Sequence, residues 1–190
     1  FSKPNPKFPD QRLMAGFDAN QITLAAIVIA IVFGAGLLYW GNRFKAMRRT
    51  SIILYGIVGG AFLVGAGLLL NHSHGWPLAI VLVPLLVAAA GLFVLAGATP
   101  AALGLLADIS ERFPADRGAI MGLYSVFLAI GQIAGSLIGG FAADWLGIDG
   151  MLFATAILLA IALIPLSRLR NQEHEIDVGN ATAPSRQAGA

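Results

Sequence analysis

Five long stretches of this chain, roughly 21–40, 51–70, 77–107, 118–143 and 151–166, contain no Asp, Glu, Lys or Arg. About 20 apolar residues in a helix cross a hydrocarbon core roughly 30 Å thick, so four stretches suffice alone and the fifth suffices as 150–167. Inside lipid every backbone N–H and C=O must be satisfied within the protein, which a helix does and an open strand does not. The alternation of a transmembrane barrel is absent. The predicted fold class is therefore all-α, a polytopic transmembrane helix bundle of five spans. Composition agrees: 57% of residues are hydrophobic and 12% charged, against about 25% charged in soluble domains. A soluble globule is excluded.

The third stretch is longer than one span, and Pro84 and Pro100 each remove a backbone donor from it, which predicts a kinked helix. Residues 1–20 form a polar leader with Pro4, Pro6 and Pro9, and residues 170–190 lean to Gly, Ala, Ser and Pro. Neither segment has apolar periodicity, and the second is predicted to be a disordered tail. Orientation follows from Lys and Arg in the connections. Nine basic residues (Arg43, Lys45, Arg48, Arg49, Arg112, Arg117, Arg168, Arg170 and Arg186) fall on one side and three (Lys3, Lys7 and Arg12) on the other. This count places the C-terminus in the cytoplasm and the leader outside. An odd number of spans, a first residue that is Phe rather than Met and an external N-terminus are together best explained by a piece that lacks upstream helices.

The fourth stretch is the most informative. Gly118, Gly122, Ser125, Ala129, Gln132, Ser136 and Gly139 recur at alternating intervals of four and three, which aligns them on one helix face. Gly131, Gly135 and Gly139 widen that face in the small-xxx-small pattern that lets helices approach closely in membranes. Gln132 lies about 21 Å along the helix from Gly118 at 1.5 Å per residue, within the hydrocarbon zone. An amide there faces either a neighbouring helix as interhelical glue or a cavity where it contacts a ligand. Ser125, Ser136, Tyr124 and Thr99 are further cavity candidates, although a lone hydroxyl also bonds back to its own helix. Gly41, Arg48, Arg49, Asp108 and Arg117 sit in the basic connections as topology determinants or gate elements. Exposed ion pairs are individually worth about 0–1 kcal/mol, so a gate there requires a network.

Catalysis is disfavoured. The chain has no Cys, no Ser-His-Asp arrangement, no metalloprotease or nucleotide-binding motif, and no carboxylate or histidine within its spans. His72 and His74 form an HxH in a short external loop, but two imidazoles without a third ligand read as loop histidines, so no metal or cofactor is predicted. The basic residues are too scattered for nucleic acid.

From residue 100 to residue 150 a longer pattern emerges. It runs from a Thr99-Pro100 helix through a short loop to Arg117-Gly118, then Gly122-Leu-Tyr124-Ser125, a glycine-rich helix, and the exit Gly140-Phe-Ala-Ala-Asp144-Trp-Leu-Gly147. This resembles the last helices of the major facilitator superfamily, in which an Arg-Gly start and a Gly-x-x-x-Asp-x-x-Gly exit bracket the eleventh helix. The resemblance covers about residues 18–169 and implies that the five spans are helices eight to twelve, the C-terminal half of that fold. The family's inside C-terminus agrees with the charge count. Its signature loop, Gly-x-x-x-Asp-Arg-x-Gly-Arg-Arg, is represented by Gly41-Asn-Arg-Phe-Lys-Ala-Met-Arg48-Arg49, which keeps the leading glycine and the basic pair and lacks the Asp.

The resemblance implies a multi-pass protein of the cytoplasmic (inner) membrane. It would be part of a secondary active transporter that moves a small solute by alternating access, with the missing N-terminal half of the same protein and the lipid bilayer as partners. Proton-coupled efflux is the finer expectation, with the proton carrier outside these spans because they hold no carboxylate. A non-transporting membrane scaffold or assembly factor with the same fold is the alternative.

Overall fold

A computed structural model describes residues 5–43, 47–111 and 113–182, with side chains as far as residue 169. Lys3, Lys45, Arg112 and Arg186, and the side chain of Arg170, all used in the charge count, lie outside the described residues. The elements are α1 (Ala19–Arg43), α2 (Arg49–Asn71), α3 (Leu78–Leu95), α4 (Ala98–Glu111) and α5 (Arg117–Thr182), with no strand among the described residues. Short 3-10 turns stand at Arg12–Met14 and Pro114–Asp116.

By length and apolarity four helices qualify as membrane spans: Ala19–Arg43, Arg49–Asn71, Leu78–Glu111 and Pro114–Leu169. The sequence predicts five, and the difference lies in the last. Residues 144–150, expected as a loop between two spans, are helical except at Gly147, whose φ of 67° and ψ of −145° break α5 into two limbs. Only glycine visits that left-handed region without strain. Gly150 completes the reversal, because a Cβ there would run into the Ala142 carbonyl of the first limb. The fourth and fifth expected stretches thus form two helical limbs joined by a one-residue hinge.

The kink expected in the third stretch falls at residues 96–97, between α3 and α4. Pro84 sits inside α3, while Pro100 lies in the first turn of α4, where a missing N–H is tolerated. The break orphans a carbonyl. In an unbroken helix the Gly97 N–H would reach Phe93, but it donates to the Val94 carbonyl instead at 3.3 Å. The Trp40 indole Nε1 of α1 donates to the vacated Phe93 carbonyl at 3.1 Å. Trp40 is buried beside Ile52 and Ala101, with Met47, Ile53 and Val94 packed around them. The indole presses so closely on Gly97 that a Cβ there would stand 2.6 Å from the ring. One tryptophan therefore satisfies the kink and fills the space that glycine leaves.

Helix α2 is the hub, packing on α3, α4 and α5, whereas α1 packs on α3. The close crossings use glycines outside the stripe that the sequence highlights. Gly59 and Gly91 meet backbone to backbone, with a Cβ on either falling 2.6–2.7 Å from the other's carbonyl oxygen. Gly36 lies against Phe93 and Ala96, Gly56 against Ala98, and Gly60 and Gly67 against Leu159 and Leu152 of the second limb of α5. The lipid-facing sides stay apolar, as an all-helix bundle in a membrane requires.

At the C-terminal end the backbone of α5 continues to Thr182, well into the segment expected to lack structure. Residues 170–175, Arg-Asn-Gln-Glu-His-Glu, favour no cap or turn strongly, and the next proline is Pro184. Residues 183–190 lie outside the described residues.

Candidate functional site

The helices sort the connections into two ends. The leader, residues 71–77 and the Gly147 hinge share one end, and the α1–α2 and α4–α5 connections share the other.

Between the two limbs of α5 lies a groove of about 540 Å³, lined by Gln132 and Ser136 of the first limb and Thr155 of the second, together with Gly135, Gly139 and Met151. The stripe spacing explains the first limb's contribution, since Gln132, Ser136 and Gly139 are one turn apart. Thr155, the one clearly polar interior residue of its span, completes the polar patch. Its hydroxyl donates back to the Met151 carbonyl at 2.8 Å, which leaves the oxygen able to accept from a guest. The remainder of the lining is small or apolar, the composition of a pocket that takes up an apolar body and orients it through a few polar groups.

The other cavity candidates do not join this patch. Ser125 is exposed and donates to its own Met121 carbonyl at 3.2 Å. Tyr124 is half-buried on the first limb, and Thr99 is exposed in the first turn of α4. Of the glycines given a packing role, Gly139 approaches Met151, but a Cβ on Gly118, Gly122, Gly131 or Gly135 would meet nothing within 4 Å among the described residues. That face of the first limb is open. Gly140 is open as well. A second groove, about 510 Å³ along the outer seam of α2 and α3, is lined by Val58, Phe62, Val83 and Pro84 among other apolar residues and offers no polar side chain.

At the end opposite the leader, Arg49 Nη2 and Asp108 Oδ1 stand 3.0 Å apart and join α2 to α4. The guanidinium crosses directly over Gly104, where a side chain would block it. Gly104 was not signalled by the sequence, since an interior glycine in an Ala-rich helix reads as ordinary small-residue packing. Arg48 caps the start of α2 from an extended backbone conformation, Gly41 has open space where a Cβ would project, and Arg117 is exposed at the start of α5. Of the gate candidates, the structure joins Arg49 and Asp108.

The exit motif forms the hinge. Asp144 is exposed, and its backbone carbonyl accepts a hydrogen bond from Lys7 Nζ of the leader. Gly147 supplies the left-handed turn.

The family model of the Major Facilitator Superfamily matches residues 11–187. The chain belongs to that superfamily. Neither a curated protein nor a solved structure matches it. Members of the major facilitator superfamily are membrane transporters of small-molecule solutes rather than enzymes, and the long apolar helices make this member a multi-pass membrane protein. The match begins at Gln11 and so includes the second half of the leader, the α1–α2 connection and the hinge.

Proposed function

We propose that this superfamily chain supplies one wall of the solute pathway of a secondary active transporter, and that the groove between the limbs of α5 is the part that contacts solute. The observation that carries this reading is the convergence of Gln132, Ser136 and Thr155 in one otherwise apolar groove. An amide placed in the hydrocarbon zone is costly unless it meets a partner or a cavity. No hydrogen-bond partner of Gln132 is present among the described residues, and the residue is exposed. A cavity accounts for both facts.

The finer reading is the C-terminal half of the transporter fold, helices eight to twelve, with the leader outside and the C-terminus in the cytoplasm. Transporters of this class rock two repeats about a site near the midplane. The open glycine face of the first limb suits a second set of helices, the N-terminal half, closing against it. The apolar lining favours hydrophobic solutes and export. Because the five apolar stretches carry no carboxylate or histidine, proton coupling runs through a carboxylate or histidine of that other half.

The test is accumulation of a panel of fluorescent and radiolabelled hydrophobic solutes in cells producing the full-length protein, with and without a protonophore. Transport of a solute that is lost in Gln132→Leu at unchanged membrane abundance is expected. Unaltered flux in that variant contradicts the site. Absence of flux for every solute, together with stable copurification of a partner complex, supports a scaffold instead.

A further inference from the structure

A helix broken by a left-handed residue loses backbone hydrogen bonds on either side of the break. In an unbroken α5 the Ile148 N–H would donate to the Asp144 carbonyl. Here both groups are served by the leader. The Ile148 N–H donates to Gln11 Oε1 at 2.8 Å, and the Asp144 carbonyl accepts from Lys7 Nζ. The Gln11 amide also donates through Nε2 to the Leu146 carbonyl at 2.7 Å and to Asp149 Oδ2 at 3.3 Å. Gln11 thus enters the hinge with every polar atom engaged. It is 4% exposed, which is unusual for a glutamine in a polar leader.

The same segment grips the end of α2. The Leu13 N–H donates to Asn71 Oδ1 at 3.1 Å, and Asn71 Nδ2 donates to Asp149 Oδ1 at 2.8 Å. Arg12 Nη1 reaches Ser73 Oγ at 2.8 Å, and His72 Nε2 lies 2.8 Å from Asp149 Oδ2. Asn71 and Ser73 are both fully buried. The leader itself is folded into a compact turn, closed by the Asn5 N–H donating to the Met14 carbonyl at 3.0 Å.

We propose that residues 5–18 form a clasp that locks the leader-side ends of α2 and α5 together, with Gln11 as its pin. The elements it joins are an interhelical end and a hinge, the places that must part if this end of the bundle is to open. Withdrawal of Gln11 uncovers the Ile148 N–H and the Leu146 carbonyl, and because the neighbouring Arg12 holds the buried Ser73, release of the segment uncovers Ser73 with them, which gives the clasp a closed and a released state. This inference does not depend on the transport reading, because the clasp is defined by the exposure of Ser73 and not by flux.

This chain contains no Cys, so a cysteine introduced into it is identified by its own peptide. In the full-length protein in native membranes, Ser73→Cys is treated with a membrane-impermeant maleimide applied to either face, and labelling at that residue is read by peptide mass. The thiol is expected to react slowly with Gln11 present. Adding Gln11→Leu, which keeps the volume and removes every side-chain hydrogen bond, is expected to raise the rate at least tenfold. Gly147→Ala, whose methyl group enters the space of the Gln11 amide, is expected to do the same from the other side of the contact. Ser110→Cys, fully buried at the opposite end, serves as the control and is expected to stay protected in both variants. Unchanged labelling at position 73 overturns the clasp. A parallel rise at position 110 also overturns it, because Gln11 would then support the whole bundle and not a local lock.

Discussion

Gly59 and Gly91 touch backbone to backbone where α2 crosses α3, and neither position has room for a Cβ. The approach is closer than any side chain permits, and van der Waals contact at such crossings is a principal source of helix association in lipid, where the hydrophobic effect between helices is absent. Gly91→Ala is therefore expected to force the helices apart and cost about 1–3 kcal/mol. Gly91→Leu is expected to prevent stable assembly. Thermal unfolding of the detergent-solubilised full-length protein checks the first, and membrane abundance checks the second. The same substitutions at Gly131 or Gly135, which face open space in this chain, are expected to leave α2–α3 packing intact.

Trp40 gives a second prediction. Its indole N–H serves the carbonyl that the α3–α4 break leaves without a helical partner. Trp40→Phe keeps a ring over Gly97 but leaves the Phe93 carbonyl unpaired, a loss of about 1–3 kcal/mol for a buried polar group. Trp40→Ala adds a cavity and is expected to cost more. Thermal stability of the two variants orders them, and equal stability of Trp40→Phe and the unaltered protein contradicts the role given to the indole N–H.

The ion pair of Arg49 and Asp108 is expected to matter little for stability. Its side chains are 29% and 49% exposed, and pairs of this kind contribute below about 1 kcal/mol. Asp108→Asn should leave thermal stability within that range. Gly104→Leu acts on the same contact differently, because it evicts the guanidinium from its path over α4, and it is expected to be the more disruptive of the two. A double-mutant cycle over Arg49→Ala and Asp108→Asn measures the pair directly.

The bundle was legible in the sequence for a simple reason: in lipid, absence of charge over about 20 residues already selects a helix. The kink in the third stretch was legible from its prolines: Pro100 cannot donate to Ala96 and its ring crowds that carbonyl, and the break falls at residues 96–97. What the prolines did not signal is Trp40 of another helix, which supplies a donor to the carbonyl the break leaves free. The glycine stripe of the fourth stretch marked a small face but not its neighbour, because periodicity fixes a face and not what packs on it. Gly59 stands beside the Gly56 and Gly60 pair, four apart in α2, whereas Gly91 has no comparable periodic signature. For the groove, Gln132 and Ser136 could be read from their spacing, whereas Thr155 required the reversal at Gly147. Gln11 escaped altogether. A polar residue among prolines reads as surface, and only the tertiary contact with a helix hinge makes it internal.

The central claim is that Gln132 faces a solute-accessible groove rather than lipid or a permanently packed neighbour. Its most direct test is the reaction of Gln132→Cys with a membrane-impermeant maleimide in the full-length protein, measured in intact membranes from each face. Thiols react as thiolates and need water, so labelling from one face, at a rate well above that of Phe127→Cys on a lipid-exposed side of the same limb, is the predicted result. No labelling in intact membranes, followed by complete labelling after denaturation in detergent, would contradict the account.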